Sequence, residues 1–189
     1  MKIIGATGQN GTGKDEVLKY IRAQYGVPFL STGDVVREIA AQEGSEPTRS
    51  NLQKISEHYF NQFGQGYFVR TVADKIRGKG WSVAGISGIR SFEDVQTLKN
   101  IFGENFILIH VYITDPHVRY ERMTKRGEER DPHSYDEFRH NDEREETIFH
   151  IKKAEQNADY LISNDGTLDD LHHEIDKLIT DKKLLNTER

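Results

Sequence analysis

The stretch GQNGTGKD, residues 8–15, decides how the rest of the chain is read. It follows a short apolar run, KIIGA at residues 2–6, and leads into an amphipathic segment at 15–25. Strand, glycine loop and helix start, in that order, are the setting of a P-loop. Gly8, Gly11 and Gly13 let the backbone turn tightly and aim its N–H groups inward. With the positive end of the following helix behind them, those donors predict an anion site for the β-phosphate of a nucleotide. Asn10 and Thr12 belong to the same loop, and Lys14 is placed to reach the β- and γ-phosphates as a point charge. One position departs from the GxxxxGK[ST] pattern: Asp15 stands where a hydroxyl usually ligates magnesium. A carboxylate also holds magnesium, but it repels nearby phosphate. The plainer alternative is a glycine-rich turn capping an ordinary helix, with Asp15 favoured by the helix dipole.

The bulk properties narrow the class. The 189 residues suit one domain with small inserts. A net charge of −5, with no dense Lys/Arg block, argues against a dedicated nucleic-acid binder. There are no cysteines, which excludes disulfides and thiolate zinc sites. No stretch approaches the roughly 20 apolar residues of a membrane span. The first residues enter a strand at once, so a cytoplasmic protein without a signal peptide is expected.

Periodicity then lays out the elements. Val17, Leu18, Ile21 and Tyr25 share one helical face. Residues 27–30 read as a second strand, and STGDVVREIAAQ at 31–42 as a helix with a Ser or Thr cap. Helices are predicted over 49–63 and 67–77, broken by Gly64-Gln65-Gly66. The apolar runs at 81–86 and 106–114 read as buried strands, with His110 as a packed core residue of the second. Ser91 and Asp94 have capping-box spacing, and Asp115-Pro116 is a helix start. That helix carries Arg122 and Arg126, four apart on one face, before a polar loop at 127–134 and a further helix from about 135. Residues 158–166 read as the last strand and a turn, Thr167 as the cap of the last helix, and 181–189 as a loose tail. Alternating strands and helices predict an α/β domain over residues 1–180 around a parallel five-stranded sheet.

Four segments in this order resemble the nucleoside monophosphate kinase superfamily: the P-loop, STGDxxR at 31–37, GIR at 88–90 and ADYLISN at 158–164. The resemblance implies a P-loop kinase fold with a helical acceptor-binding insert at about 42–78 and a short lid at about 122–144. It implies that Thr32 touches the acceptor and that Arg37 and Arg90 hold its phosphate, a task suited to a bidentate guanidinium. TRSNLQ at 48–53 is similar to a segment of deoxynucleoside monophosphate kinases, which adds Arg49; a surface arginine is the alternative. Arg122 and Arg126 match the first lid arm, closing over a phosphoryl group whose charge is spread over three oxygens, and Arg139 and Arg144 match the second, where HNDEREE at 140–146 reads equally as a solvated helix. The last segment resembles dephospho-CoA kinases and puts Asn164 and Gly166 beside the adenine of ATP. Asp34 is a candidate to hold magnesium waters or orient the acceptor, and equally a first-turn carboxylate. Ser87 stands where many relatives carry a magnesium-organising Asp, which suggests that the carboxylate has moved to Asp15.

The implied chemistry is transfer of the ATP γ-phosphoryl with Mg²⁺, with small nucleotides as partners, no nucleic acid or membrane, and a monomer or homodimer. A nucleoside or deoxynucleoside monophosphate acceptor is favoured by STGDxxR and TRSNLQ, and dephospho-CoA by the C-terminal segment. A nucleotide-binding regulator or slow NTPase is kept open by Asp15 and Ser87.

Overall fold

The computed structural model describes residues 1–128 and 131–185, with the side chain of Arg49 outside that description. Five strands alternate with helices. In chain order these are β1 (Lys2–Thr7), α1 (Lys14–Tyr25), β2 (Phe29–Ser31), α2 (Thr32–Gln42), α3 (Arg49–Phe63), α4 (Tyr67–Gly78) and β3 (Val83–Ser87). They continue with α5 (Phe92–Phe102), β4 (Phe106–Tyr112), α6 (Pro116–Arg126), α7 (Tyr135–Phe149), α8 (Ile151–Glu155), β5 (Tyr160–Ser163) and α9 (Leu168–Asp181). All strand pairs are parallel, in the order β2-β3-β1-β4-β5. The α/β fold expected from the alternation is therefore present.

A central parallel strand must be apolar on both faces, because helices cover both. Strand β1 shows this residue by residue. Ile3 packs with α2, α4 and α5 residues such as Val36, Val72 and Leu98, while Ile4 and Ala6 pack on the other side with α1 and α9. Val17, Leu18 and Ile21 of α1 are at most 1% exposed, and burial stabilises each by roughly 1.5–3 kcal/mol. Capping sets the helix starts where the sequence placed them. Ser31 accepts from Gly33, Ser91 and Asp94 form a full capping box, Asp115 accepts from His117, and Thr167 pairs with Asp170.

Helix α7 ends at Phe149: His150 takes φ 49°, in the left-handed region, and starts the short α8. No glycine or proline marks that break. His110 packs within β4 with 17% of its side chain exposed and Nε2 3.5 Å from Glu155 Oε1 on α8. The tail is not loose from residue 181. Leu184 and Leu185 are buried, and Lys2 Nζ donates to the Leu184 carbonyl at 2.8 Å. Residues 186–189 lie outside the described residues.

Candidate functional site

The C-terminal ends of the strands open on a cleft of about 1580 Å³. It sits where β1, whose connection runs toward β2, lies beside β4, whose connection runs the other way to β5, the usual ligand position in such folds. The loop after β1 forms one half. Gly8, Gly11 and Gly13 all have positive φ. A Cβ on Gly8 would lie 2.3 Å from the Val111 carbonyl oxygen, and one on Gly13 2.5 Å from Asn164 Nδ2, so no larger residue fits either place. Thr12 is buried and its hydroxyl donates to the Gln9 carbonyl at 2.9 Å. Lys14 is nearly buried, with Nζ 3.4 Å from the same carbonyl. Asn164, at the end of β5, is also buried, and its Nδ2 donates to the Thr12 carbonyl at 2.9 Å. The sequence associates Asn164 with a base; the structure commits its carboxamide to holding the loop.

Asp15 and Ser87 meet across the cleft, with the Ser87 hydroxyl donating to Asp15 Oδ1. Burial by the surrounding walls opposes charge on Asp15. Lys14, the Ser87 hydroxyl, Arg90 and Lys19 together outweigh it and hold the carboxyl below its ordinary value. The carboxylate is therefore ionised at neutral pH and open to the cleft. Hard oxygen donors of this kind suit Mg²⁺, which takes one or two carboxylates and completes its shell with water and phosphate. No group of three or more His, Cys, Asp or Glu that could hold a metal ion occurs among the described residues.

The other half of the cleft lies under α2, α3 and α4. Thr32 is buried, and its hydroxyl donates to the Gly88 carbonyl at 3.1 Å. Arg37 pairs with Asp34 one turn away at 2.5 Å, both exposed to the cleft. Phe29, Leu52, Phe60, Phe68 and Phe149 give this half an apolar, aromatic wall. Arg90 emerges between the halves. Its backbone is fixed by Asp94, whose carboxylate accepts both the Arg90 and Ser91 N–H groups at 3.1 Å. Burial dominates at Asp94 and pushes its pKa up despite these bonds. The guanidinium lies 5.6 Å over the Phe149 ring.

From α6, Arg122 donates to the Gly166 carbonyl at 2.9 Å. Arg126 is held by Asp131 and Glu128, and the Asp131 bond is the main reason its pKa is raised. Arg144 lines the cleft. Arg139 does not; it pairs with Glu143 on an exposed face at 3.4 Å, which corrects its lid assignment. The side chain of Arg49 lies outside the described residues.

Three residues of the site were not singled out in the sequence. Arg119 is buried, donates to the Asn10 carbonyl at 3.0 Å, pairs through both terminal nitrogens with Asp142, and sits 4.8 Å over the Phe138 ring. Glu145 accepts from Asn10 Nδ2 at 2.7 Å and from Arg90 Nη1 at 3.4 Å. A signal existed. Arg119, Arg122 and Arg126 are spaced i, i+3, i+7, and Phe138, Asp142, Glu145 and Phe149 continue i, i+4, i+7, i+11, so each set shares a helical face.

Residues 7–139 match the family described as AAA domain. The chain is 36% identical over 180 residues to a UPF0200 protein of Thermococcus onnurineus, covering 94% of this chain and 96% of the relative. It is 32% identical to one of Methanosarcina mazei, covering 93% and 92%. Among solved structures it is similar to a shikimate kinase from Acinetobacter baumannii in complex with shikimate (TM-score 0.61, 19% identity, 98% and 96% covered). A gluconokinase from Sinorhizobium meliloti is also similar (TM-score 0.60, 13% identity, 96% and 95% covered). At such identity these two likenesses establish a P-loop kinase fold and nothing finer. Taken with the phosphate-loop geometry, the family match and the relatives place the chain among the AAA-domain P-loop proteins, as a member of the UPF0200 family.

Proposed function

We propose that this chain is an ATP- and Mg²⁺-dependent phosphotransferase that moves the γ-phosphoryl of ATP to a nucleoside or deoxynucleoside monophosphate. The observation that carries the reading is one cleft with cationic side chains along its whole length. Lys14 and the loop lie on one side, Arg37 and an aromatic wall on the other, and Arg90 between them. The cleft exceeds the roughly 300–1,000 Å³ of a single small-molecule pocket, which supports room for donor and acceptor together.

In this reading Lys14 and the loop amides hold the donor phosphates. Arg90 and Arg37, with Thr32 beside them, hold the acceptor phosphate. Arg122, Arg126 and Arg144 bring charge from the lid side, and Gly166 borders the donor. The protein works by positioning and electrostatics, and closing the cleft excludes water that would hydrolyse ATP. Asp15 and Ser87 would hold magnesium, with Asp34 near its waters, and the ion would supply positive charge that offsets that of the phosphates. Their contact supports the view that carboxylate and hydroxyl have exchanged places rather than been lost, and it weighs against a non-kinase regulator. Partners would be small nucleotides in the cytoplasm, not nucleic acid or membrane.

A hydroxyl acceptor, dephospho-CoA among them, is the second reading. Asp34, open to the cleft, favours it as a candidate general base. Two substitutions test the division of the cleft. Lys14→Ala should abolish ATP turnover. Arg90→Ala should raise the acceptor KM at least tenfold and leave the ATP KM within about threefold. Unchanged acceptor kinetics in Arg90→Ala would refute the assignment.

A further inference from the structure

One oxygen atom joins the two halves of the cleft. Glu145 Oε1 accepts from Asn10 Nδ2 of the phosphate loop at 2.7 Å and from Arg90 Nη1 at 3.4 Å. The Glu145 side chain is 15% exposed and that of Arg90 39%. The carboxylate is thus the more enclosed partner, and the guanidinium keeps a face open to the cleft. Helix α7 holds the contact in place. One turn earlier Asp142 grips Arg119, which donates to the Asn10 carbonyl, and one turn later Phe149 lies against the Arg90 guanidinium. Asn10 is therefore held at its carboxamide by α7 and at its carbonyl by Arg119 of α6, which Asp142 of α7 grips in turn.

We infer that Glu145 is an internal counter-ion of Arg90, a carboxylate occupying the position that an incoming anion must take. The inference rests on the reading of Arg90 as an anion-binding residue. An anion arriving at Arg90 competes for Nη1. If Glu145 stays, a mostly enclosed carboxylate is left beside a second negative charge, which is unfavourable at close range. If Glu145 moves, its bond to Asn10 breaks and the phosphate loop loses its direct contact with α7, keeping only the one through Arg119. Either way anion binding at Arg90 works against Glu145, and the donor loop registers it. A purely structural hydrogen bond would leave anion affinity unchanged when its charge is removed.

The test uses the full chain saturated with ADP and magnesium, so that the phosphate loop is filled, and titrates inorganic phosphate by calorimetry. Glu145→Gln keeps a carbonyl acceptor for Asn10 and removes the charge. It should bind phosphate about tenfold more tightly than the parent. Arg90→Ala should lose that phosphate binding, and Arg90→Ala combined with Glu145→Gln should not regain it. Equal phosphate affinity in Glu145→Gln and the parent, or weaker affinity in Glu145→Gln, overturns the inference. So does a gain that persists without Arg90. These outcomes are read from binding alone and stand apart from acceptor turnover, whose absence would instead refute the kinase reading.

Discussion

Replacing Arg119 by leucine separates stability from loop geometry. The Arg119 side chain is 4% exposed and that of Asp142 18%. The pair is therefore close to the buried limit, where removing one partner strands the other's charge and costs about 3–5 kcal/mol. For a chain of this size, 1 kcal/mol shifts the melting temperature by roughly 2–4 °C. Arg119→Leu should thus melt roughly 6–20 °C below the parent in a thermal scan. A second substitution, Asp142→Leu, removes the stranded charge. Because desolvating a buried pair offsets most of its attraction, the double variant should recover most of the lost stability. Nucleotide binding should not recover with it. Arg119 also donates to the Asn10 carbonyl at 3.0 Å, and the double variant still lacks that donor. Calorimetric titration with ADP should show several-fold weaker binding in both variants. A single variant melting within about 2 °C of the parent would refute the buried-pair reasoning. A double variant that regains both stability and ADP affinity would refute the role of Arg119 in shaping the loop.

Other outcomes follow from the same geometry. Asp15→Ser and Ser87→Asp should each lower magnesium-dependent turnover at least tenfold, and the two together should restore a substantial part; additive losses in a double-mutant cycle would show that the positions are not interchangeable. Asn164→Asp puts an acceptor against the Thr12 carbonyl in place of a buried 2.9 Å donor. It should cost about 1–3 kcal/mol, with weakened ADP binding, and a melting curve and titration like the parent's would contradict this. Burial, helped by Glu146, raises the Glu155 carboxyl from 4.5 to about 7, against the opposing charges of Arg119, Lys14 and Lys152. A raised carboxyl favours the protonated folded state, so its contribution is complete below the unfolded value and is lost as pH rises through about 7. Glu155→Gln should therefore stabilise the protein at pH 8 by up to about 3 kcal/mol and make little difference at pH 4; an equal effect at both would refute the titration.

The fold was legible because each boundary had its own local cause. The Ser91–Asp94 box, Asp115-Pro116 and Thr167 placed three helix starts, and the long apolar run became β4. The break at His150 was not legible, because a left-handed histidine leaves no sequence mark comparable to glycine. Of the residues the motifs point to, Gly11, Gly13, Arg37, Arg90, Arg122, Arg126 and Arg144 line the cleft, while Arg139 does not. Asp142 and Glu145 were missed because the segment HNDEREE has the composition of a solvated helix. Their partners are remote: Glu145 bonds Asn10 across 135 positions, and Arg119 reaches the same residue across 109. Asn164 was singled out for the adenine, but its bond to Thr12 spans 152 positions, and nothing local indicates that its side chain turns to the loop. Charge on a helix face tells little until the opposing surface is known.

The most direct measurement is ADP release from ATP and Mg²⁺ against a panel of ribo- and deoxyribonucleoside monophosphates, with dephospho-CoA added. The kinase reading expects strong stimulation by one monophosphate, lost in Lys14→Ala and demanding far more acceptor in Arg90→Ala. A flat background across the whole panel, in protein that demonstrably binds ATP, would contradict it.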